Sequence, residues 1–207
     1  MIRGIVFDFG NVISRFDYNN LFLKRISKYA EKPENELWEI IFTGISQQYE
    51  TGVLNSDEFF NKVSTFCGLR MEKDEFKKAF TGIFSPIEST YDLIRNLKKK
   101  YKLGLLSNTN EWHFECAIKQ MEIFNLFDAV SPSHKVGVMK PDKKMFNDVA
   151  KKLALKPEEC IFIDDISEYI ETACKLGFKG IRYIGHEQLL ESLSQLNVIE
   201  PLQNKGI

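Results

Sequence analysis

The chain has 207 residues, of which 43% are hydrophobic and 28% are charged, so its composition is that of an ordinary globular protein. This length is enough to bury one substantial core and to carry a small second domain. Its 28 Lys and Arg residues balance 29 Asp and Glu residues, which gives a formal net charge of -1. The balance gives no electrostatic reason to expect a nucleic acid or an anionic membrane as a partner.

The sequence gives no sign of secretion or of a membrane span. The first predicted strand is reached by residue 5, and no stretch approaches the roughly 18 consecutive apolar residues of a membrane helix. The cysteines form no Cys-x-x-Cys pair and are Cys67, Cys116, Cys160 and Cys174. We therefore expect a cytoplasmic protein with buried reduced thiols, and neither a disulfide framework nor a zinc site.

Short apolar runs predict four buried parallel strands, since each run is bounded by polar residues and is too short for a helix. The runs cover residues 4–7, 102–106, 160–163 and 180–184. Helical patterns separate them and cover residues 87–101, residues 140–153 with Pro141 in the first turn, and residues 170–176. This alternation predicts βαβ units and a Rossmann-like parallel α/β sheet.

Residues 15–85 depart from this alternation, because they contain no convincing buried strand. Amphipathic patterns predict helices over residues 21–29, 34–43, 56–66 and 73–80, and Ser56 suits the start of the third. We interpret residues 15–85 as a small helical cap inserted into an α/β core made of residues 1–14 and 86–207. The end of the chain after Pro201 is predicted to be frayed.

Asp8 directly follows the first predicted strand, and Gly10 comes two residues later. In open parallel sheets, ligands bind in the crevice outside the carboxyl ends of the strands. Asp8 is therefore placed for chemistry, and the residues that follow the other strands are candidates for the same site.

Three further groups are expected at this edge of the sheet. Ser107 and Asn108 end the second strand, where a hydroxyl and backbone amides can bind phosphate oxygens or simply form a turn. Lys140 can neutralise a developing negative charge or be an ordinary surface residue. Asp164 and Asp165 suit a hard divalent cation such as Mg²⁺, although one acid capping a helix and the other in an ion pair is the alternative.

The order and placement of these groups resemble the haloacid dehalogenase (HAD)-like hydrolases, in the division with a small helical cap after the first strand. The resemblance covers nearly the whole chain. The matching motifs are Asp8-Phe9-Gly10-Asn11-Val12, Ser107-Asn108, Lys140-Pro141 and Asp164-Asp165. The Asp-x-Gly-Asn-Val form also resembles a subgroup that contains sugar-phosphate phosphatases.

The resemblance implies a Mg²⁺-dependent phosphatase that hydrolyses a small phosphorylated metabolite. Asp8 would attack phosphorus and form an aspartyl-phosphate that water then hydrolyses. Mg²⁺ would bind Asp8, the backbone carbonyl of Gly10 and Asp165, with Asp164 as a ligand or just behind the ligands.

The remaining motif residues would bind the phosphoryl group. The resemblance implies that Ser107 and the amide of Asn108 hold phosphoryl oxygens, and that Lys140 offsets the charge on the nucleophile and the phosphoryl group. Asn11 either hydrogen-bonds the phosphate or forms the tight turn beside Gly10, and the turn is the favoured interpretation.

Gly10 departs from the family pattern, since most phosphatases of the superfamily carry a second aspartate here as general acid and base. Dehalogenases also lack this acid, because a halide leaves without a proton, and a metal-independent 2-haloacid dehalogenase is therefore one alternative. Asp164 and Asp165 argue against it, since Ser or Asn is expected there in an enzyme without metal. The reaction needs an acid less if the substrate has a good leaving group. Otherwise the proton can come from a substrate hydroxyl, from water or from His113.

Tyr169 is a second departure, because the family usually has Asp or Asn four residues beyond Asp165 to support the metal. Glu168 is adjacent and is a candidate substitute. The two departures leave a third alternative, a catalytically impaired relative that binds a ligand or a protein partner. The four intact motifs favour the enzyme.

Several residues remain open to two interpretations. His113 either faces the substrate or is an ordinary polar residue of the helix after the second strand. His134 and His186 are predicted at the surface, and the aromatic residues of the cap are predicted to form its core. Residues 49–52, Tyr-Glu-Thr-Gly, form either a connecting turn or a loop over the active site, and substrate choice is expected to lie in the cap.

Overall fold

The structure is a computed structural model that describes residues 1–200, and a parallel sheet stands at its centre. The strands found within these residues are β1 (Gly4–Phe7), β2 (Ser14–Phe16), β3 (Phe84–Pro86), β4 (Lys102–Ser107), β5 (Ala129–Pro132), β6 (Cys160–Asp164) and β7 (Lys179–Arg182). Five of them form the sheet in the order β5-β4-β1-β6-β7, and every neighbouring pair is parallel. The chain end predicted to be frayed lies outside the described residues.

Helices surround the sheet and fill the segment between β2 and β3. The α-helices of the described residues are α1 (Lys24–Ile26), α2 (Glu34–Ile40), α3 (Ser46–Glu50), α4 (Ser56–Cys67), α5 (Lys73–Thr81), α6 (Glu88–Leu97), α7 (Glu111–Cys116), α8 (Ser133–Val136), α9 (Lys143–Leu153), α10 (Ser167–Lys175) and α11 (His186–Gln195). The π-helical turns are Tyr18–Leu23 and Ile41–Ile45, and the 3₁₀ turns are Ile118–Gln120, Phe124–Leu126 and Pro157–Glu159.

Side chains alternate across the sheet, so that each face has its own core. In β1, Ile5 and Phe7 pack with residues of α6 and α11 on one face, and Val6 packs with residues of α9 on the other. All of β1 is buried, as expected for the central strand of a parallel sheet. The predicted Rossmann-like α/β fold is confirmed, and it brings the carboxyl ends of β1, β4 and β6 to one edge.

The predicted strands are confirmed with small shifts, and one strand of the sheet escaped prediction. β4 and β6 each extend one residue further, to Ser107 and Asp164, while β7 begins and ends earlier than predicted. The missed strand is β5, which lies at the edge of the sheet beside β4. It contains Ser131 and ends in Pro132, so no apolar run marks it, and a proline is tolerated at an edge.

Side-chain caps fix two helix starts, of which α4 begins at Ser56 as predicted and α9 begins later than predicted. The helix predicted from Lys140 begins instead at Lys143, since Asp142 accepts a hydrogen bond from the backbone N–H of Lys144 at 2.8 Å. The cap of α4 is Asn55, one residue before Ser56, in a reciprocal capping box with Glu58. Side-chain caps satisfy backbone N–H groups that a helix leaves unpaired, and they therefore fix where each helix starts.

The segment between β2 and β3 is helical, as predicted, and has its own aromatic core. Its buried residues include Phe22, Phe59, Phe76 and Phe80, and Trp112 of α7 joins them from the α/β part. β2 and β3 pair antiparallel at the borders of this segment, where no strand was predicted. Both strands are mostly exposed, which explains why no apolar run marked them.

The cysteines differ in burial, contrary to the prediction that all four are buried. Cys67 and Cys160 are buried, Cys116 is half-buried and Cys174 is exposed. Among the residues described, no helix has the length and apolar character needed to cross a membrane.

Candidate active site

Asp8, Asp164 and Lys140 meet at the carboxyl edge of the sheet. The register of β1 and β6 aligns Phe7 with Ile163, so that Asp8 and Asp164 follow side by side. The Nζ atom of Lys140 donates to Asp8 Oδ1 at 2.7 Å and to Asp164 Oδ2 at 2.6 Å. Exposures of 7%, 0% and 4% for Asp8, Asp164 and Lys140 show that these ion pairs are removed from water. One ammonium therefore holds two buried carboxylates.

Burial and charge act against each other in this cluster. Burial raises the pKa of Asp8 and of Asp164, although the ammonium of Lys140 opposes the shift for both. Burial alone would lower the pKa of Lys140, but the attraction of the two carboxylates outweighs it and raises that pKa. Lys140 therefore stays charged, and a second cation near the two acids would favour their ionised forms.

Asp165 adds a third carboxylate to the same place. One carboxylate oxygen from each of Asp8, Asp164 and Asp165 can be chosen so that all lie within 4.8 Å of one another. Asp165 is half-buried, and its Oδ2 accepts a hydrogen bond from Asn11 Nδ2 at 3.0 Å. Such a set of hard oxygen donors, with more negative charge than Lys140 neutralises, fits a divalent cation such as Mg²⁺.

The side chain of Asp164 makes more hydrogen bonds within the protein than that of Asp165. Its Oδ2 accepts from Lys140, and its Oδ1 accepts from the backbone N–H of Ile166 at 2.9 Å. Both oxygens thus have partners, whereas Asp165 has one side-chain bond, from Asn11. This difference makes Asp165 the freer of the two acids for a metal ion.

Gly10 and Asn11 form the turn that follows Asp8. Asn11 has a left-handed backbone with φ of +55°, and its N–H donates to the carbonyl of Ser14 at 2.7 Å. The favoured interpretation of Asn11 as a turn residue is confirmed, and its side chain binds Asp165. A Cβ atom on Gly10 would lie 3.0 Å from Cε1 of Phe16. The ring of Phe16 therefore occupies the space that a larger residue at position 10 would need.

Ser107 and Asn108 end β4 beside this cluster. Ser107 is buried, and its hydroxyl makes only a long 3.4 Å contact with the carbonyl of Asn108. The side chain of Asn108 accepts from the N–H of Lys140 at 2.7 Å and donates to the carbonyl of Lys140 at 3.2 Å. Asn108 thus positions Lys140, a role that the sequence motif does not reveal because Lys140 is 32 residues away.

Tyr169 and Glu168, which follow the acidic pair on α10, lie in different surroundings. The ring of Tyr169 lies 5.0 Å from Lys140 Nζ, in cation–π contact, and its hydroxyl lies 3.4 Å from the side-chain nitrogen of Asn108. Glu168 is exposed and is not part of the carboxylate group formed by the described residues. Tyr169 therefore packs against Lys140, and Glu168 makes no contact among residues 1–200 that would give it a role at the carboxylate cluster.

His113 lies on α7, as predicted, but its ring is used inside the protein. It stacks on Phe80 at 4.2 Å, its Nε2 donates to the carbonyl of Phe80 at 3.0 Å, and its Nδ1 accepts from the side chain of Asn110 at 2.9 Å. Burial lowers the pKa of His113 to about 3, so the ring is neutral. Of the two interpretations, the structure favours the internal one, since neither ring nitrogen is left for a substrate.

His134 and His186, predicted at the surface, are both half-buried. The Nδ1 of His134 lies 3.1 Å from the carbonyl of Thr109, and its ring packs against Phe114. Neither histidine adds a group to the carboxylate cluster.

Residues 49–52 lie against the α/β part of the chain. The hydroxyl of Ser133 donates to the carbonyl of Glu50 at 2.6 Å and accepts from the N–H of Thr109 at 2.8 Å. Gly52 has φ of +72°, and a Cβ atom on it would lie 2.3 Å from the carbonyl oxygen of His134. Glycine is thus required by both conformation and space. Ser133 links the segment to Thr109, which lies two residues after Ser107 in the sequence.

Comparisons with known proteins agree with this geometry. A family model of haloacid dehalogenase-like hydrolases matches residues 2–173. D-ribitol-5-phosphate phosphatase of Bacteroides thetaiotaomicron is 32% identical over 186 residues, which cover 86% of this chain and 90% of that protein.

Solved structures share the fold over most of the chain. A HAD family enzyme of Bacteroides thetaiotaomicron, in complex with magnesium and inorganic phosphate, has a TM-score of 0.79 and 23% identity, covering 88% of this chain and 94% of that chain. A predicted HAD-like family hydrolase of Porphyromonas gingivalis has a TM-score of 0.81 and 27% identity, covering 95% of this chain and 98% of that chain. With the family model and the phosphatase relative, these likenesses lead to one conclusion: the chain belongs to the haloacid dehalogenase-like hydrolases.

Proposed function

We propose that the protein is a Mg²⁺-dependent phosphatase that acts on a small phosphorylated metabolite through an aspartyl-phosphate. The observation that carries the proposal is the group of three carboxylates within 4.8 Å of one another, two of which, Asp8 and Asp164, are bound to the buried ammonium of Lys140. Phosphoryl transfer depends mainly on positioning and on stabilisation of negative charge, and this cluster has the groups for both tasks.

Each group of the cluster has a role in this proposal. Asp8 is the nucleophile, because it follows the central strand at the edge where substrates bind. Asp8, Asp165 and the backbone carbonyl of Gly10 would hold Mg²⁺, which supplies positive charge to the phosphoryl oxygens when it is bound. Asp164 holds Lys140, with which it makes the 2.6 Å ion pair.

The phosphoryl group would be bound from the β4 side of the cluster. The hydroxyl of Ser107 has only a weak partner in the protein and is available to a phosphoryl oxygen. The backbone amide of Asn108 would bind a second oxygen, while the Asn108 side chain keeps Lys140 in place. Lys140 offsets the charge that develops on the transferred group.

The substrate class is proposed from the relative and the segment over the site. The relative that hydrolyses D-ribitol 5-phosphate, by its name, supports a sugar phosphate or polyol phosphate as the substrate. We also propose that residues 15–85 act as a cap that selects the substrate, since they pack around an aromatic core that is distinct from the two cores of the sheet.

The dehalogenase alternative is disfavoured by charge. Asp8, Asp164 and Asp165 carry three negative charges when ionised, against one positive charge on Lys140. The carboxylate of a 2-haloacid would be repelled by this excess, whereas a phosphate ester together with Mg²⁺ would relieve it. The impaired-relative alternative is disfavoured because Asp8, Ser107 and Lys140 are all at the carboxyl edge of the sheet.

The first test is hydrolysis of p-nitrophenyl phosphate with and without Mg²⁺. We expect activity that requires Mg²⁺ and that falls at least a thousandfold in Asp8→Asn, because the amide cannot act as the nucleophile. The matched control is Asp92→Asn, which changes an exposed acid of α6 and should leave the rate unchanged. Full activity in excess EDTA would contradict the proposal.

The alternatives are separated in the same preparation. A panel of about a hundred phosphorylated metabolites, with and without Mg²⁺, would identify the substrate class. Halide release from 2-chloropropionate without metal would support the dehalogenase. A folded protein that turns over no phosphate ester, yet is stabilised against unfolding by one of them, would support the binding protein.

A further inference from the structure

Glu50 is a half-buried acid that the proposed roles do not use. Unlike Asp8 and Asp164, whose carboxylates share Lys140, Glu50 has no hydrogen bond or ion pair to its side chain within residues 1–200. Burial raises the pKa of Glu50 to about 7, with no neighbouring cation to oppose the shift. A carboxyl group in such surroundings holds its proton near neutral pH, since an unpaired buried charge is costly.

The main chain of Glu50 is fixed to the phosphate-binding side of the cluster. Glu50 is the last residue of α3, and its carbonyl accepts the 2.6 Å hydrogen bond from Ser133. The same hydroxyl accepts from the N–H of Thr109, which follows Ser107 and Asn108 directly. One hydroxyl group therefore separates the backbone of Glu50 from the end of β4.

The side chain of Glu50 is related to the turn at Gly10 through two aromatic residues. Burial raises the pKa of Tyr18, and the charge of Glu50 adds to this shift to a smaller extent. The Tyr18 ring lies 5.4 Å from the ring of Phe16, and Phe16 covers Gly10. The main chain of Glu50 is thus tied to the residues that follow Ser107, and its charge acts on a ring that packs against the residue covering Gly10.

We propose that Glu50 is the general acid of the phosphatase reaction, and that it supplies from the helical segment the proton that an aspartate at position 10 supplies in related enzymes. The inference rests on the proposed function and names a further catalytic residue for it. The other candidate, His113, is neutral, and both of its ring nitrogens are engaged.

In the proposed reaction, Glu50 gives one proton in the first step and takes one back in the second. In the first step, Asp8 Oδ forms a bond to phosphorus, the bond between phosphorus and the ester oxygen breaks, and the Glu50 carboxyl gives its proton to that oxygen. In the second step, Glu50 carboxylate takes a proton from the water that attacks phosphorus, which releases inorganic phosphate and restores the Asp8 carboxylate and the Glu50 acid.

The test compares Glu50→Gln with the wild-type enzyme on two leaving groups. One substrate is p-nitrophenyl phosphate, whose leaving group is stable without a proton. The other is the aliphatic phosphate ester that the wild-type enzyme hydrolyses fastest in the metabolite panel. We expect kcat for the aliphatic ester to fall about 10²–10⁴-fold, the usual contribution of general acid catalysis, and kcat for p-nitrophenyl phosphate to change less than about fivefold.

Two controls exclude a loss of folding. Glu75→Gln makes the same change at an exposed acid of α5 and should leave both rates unaltered. Glu50→Asp keeps a carboxyl group and should recover part of the rate on the aliphatic ester, while thermal unfolding should confirm that all three variants are folded.

The pH profile gives a second measurement. Because Glu50 must carry its proton, kcat for the aliphatic ester should fall as the pH rises above about 7, and this basic limb should be absent in Glu50→Gln. Tyr18 of the helical segment and Ser133 and His134 of α8 are the groups that face this loop. Tyr18 has its pKa raised above the ordinary value and stays neutral in this range.

The outcomes are distinct. An equal loss on both substrates, or no loss on either, would overturn the role of Glu50 while leaving the phosphatase in place. A wild-type protein without Mg²⁺-dependent hydrolysis of any phosphate ester would overturn the proposed function, and this inference with it.

Discussion

The carboxyl edge of the sheet and the helical segment are held together by different forces. At the edge, Lys140 makes ion pairs of 2.6 and 2.7 Å with buried acids, so its geometry is set by charge and by strand register. In the helical segment, rings such as Phe22, Phe59 and Phe80 pack at centroid distances of 5.1–5.2 Å. Charge and strand register therefore fix the groups proposed to react, while apolar packing shapes the helical segment, which contributes Glu50 as one proposed acid.

Replacing Lys140 tests the edge and should have the largest effect. Lys140→Met leaves two buried carboxylates without their cation, so we expect about 3–5 kcal/mol of lost unfolding free energy and at least a thousandfold loss of phosphatase activity. Urea unfolding and p-nitrophenyl phosphate hydrolysis measure these effects. Lys98→Met, which breaks the partly exposed pair with Asp128, should cost at most about 1 kcal/mol. Similar losses of unfolding free energy in the two variants would contradict a stronger role for buried ion pairs at the sheet edge than for pairs at the surface.

Glu50→Gln should have opposite effects on activity and stability. An acid whose pKa is about 7 in the folded protein and near 4.5 when unfolded binds its proton more tightly in the folded state, so its contribution to stability falls as the pH rises from about 4.5 to 7. Glutamine removes this dependence. We expect the variant to be more stable than the wild-type protein by about 1–3 kcal/mol at pH 8, and to lose that advantage at pH 4.5. Unfolding curves at the two pH values measure it; an equal difference at both would contradict burial of the acid.

His113→Leu tests the contact between the two regions. The substitution leaves the carbonyl of Phe80 and Nδ2 of Asn110 without their partners, so we expect a loss of about 1–2 kcal/mol in unfolding free energy. The rate on p-nitrophenyl phosphate should change less than about fivefold, since His113 is not assigned to the reaction. A large loss of rate in a folded variant would indicate that His113 contacts the substrate.

The smallest effect is expected when an acid is placed at position 10. Because the ring of Phe16 fills the space over Gly10, the variant combines Gly10→Asp with Phe16→Ala, and Phe16→Ala alone is the control. We expect turnover of aliphatic esters to rise less than tenfold, since Glu50 already supplies the proton. In the Glu50→Gln background, the same change should raise the turnover of aliphatic esters by a larger factor. No rise there would indicate that proton donation to the leaving group does not limit the rate.

The sequence predicted the edge of the sheet better than the helical segment, for a physical reason. Asp8 and Asp164 follow apolar runs whose parallel register brings their ends together, so that local pattern is sufficient. The roles of Asn108 and His113 depend on the partners Lys140 and Phe80, which are 32 and 33 residues away in the chain. No local pattern contains such partners. β5 was not predicted for a different reason, since Ser131 and Pro132 leave it without an apolar run.

The hydrogen bond from Ser133 to Glu50 has a consequence for the order of events in catalysis. Lifting the helical segment off the sheet would break this bond and carry the acid away from the end of β4. Enclosure of the substrate and delivery of the proton would then be a single event. In an open enzyme, Asp8 could be in place but no acid would protonate the departing alcohol. Phosphate esters that bind without closure of the helical segment would therefore not be hydrolysed.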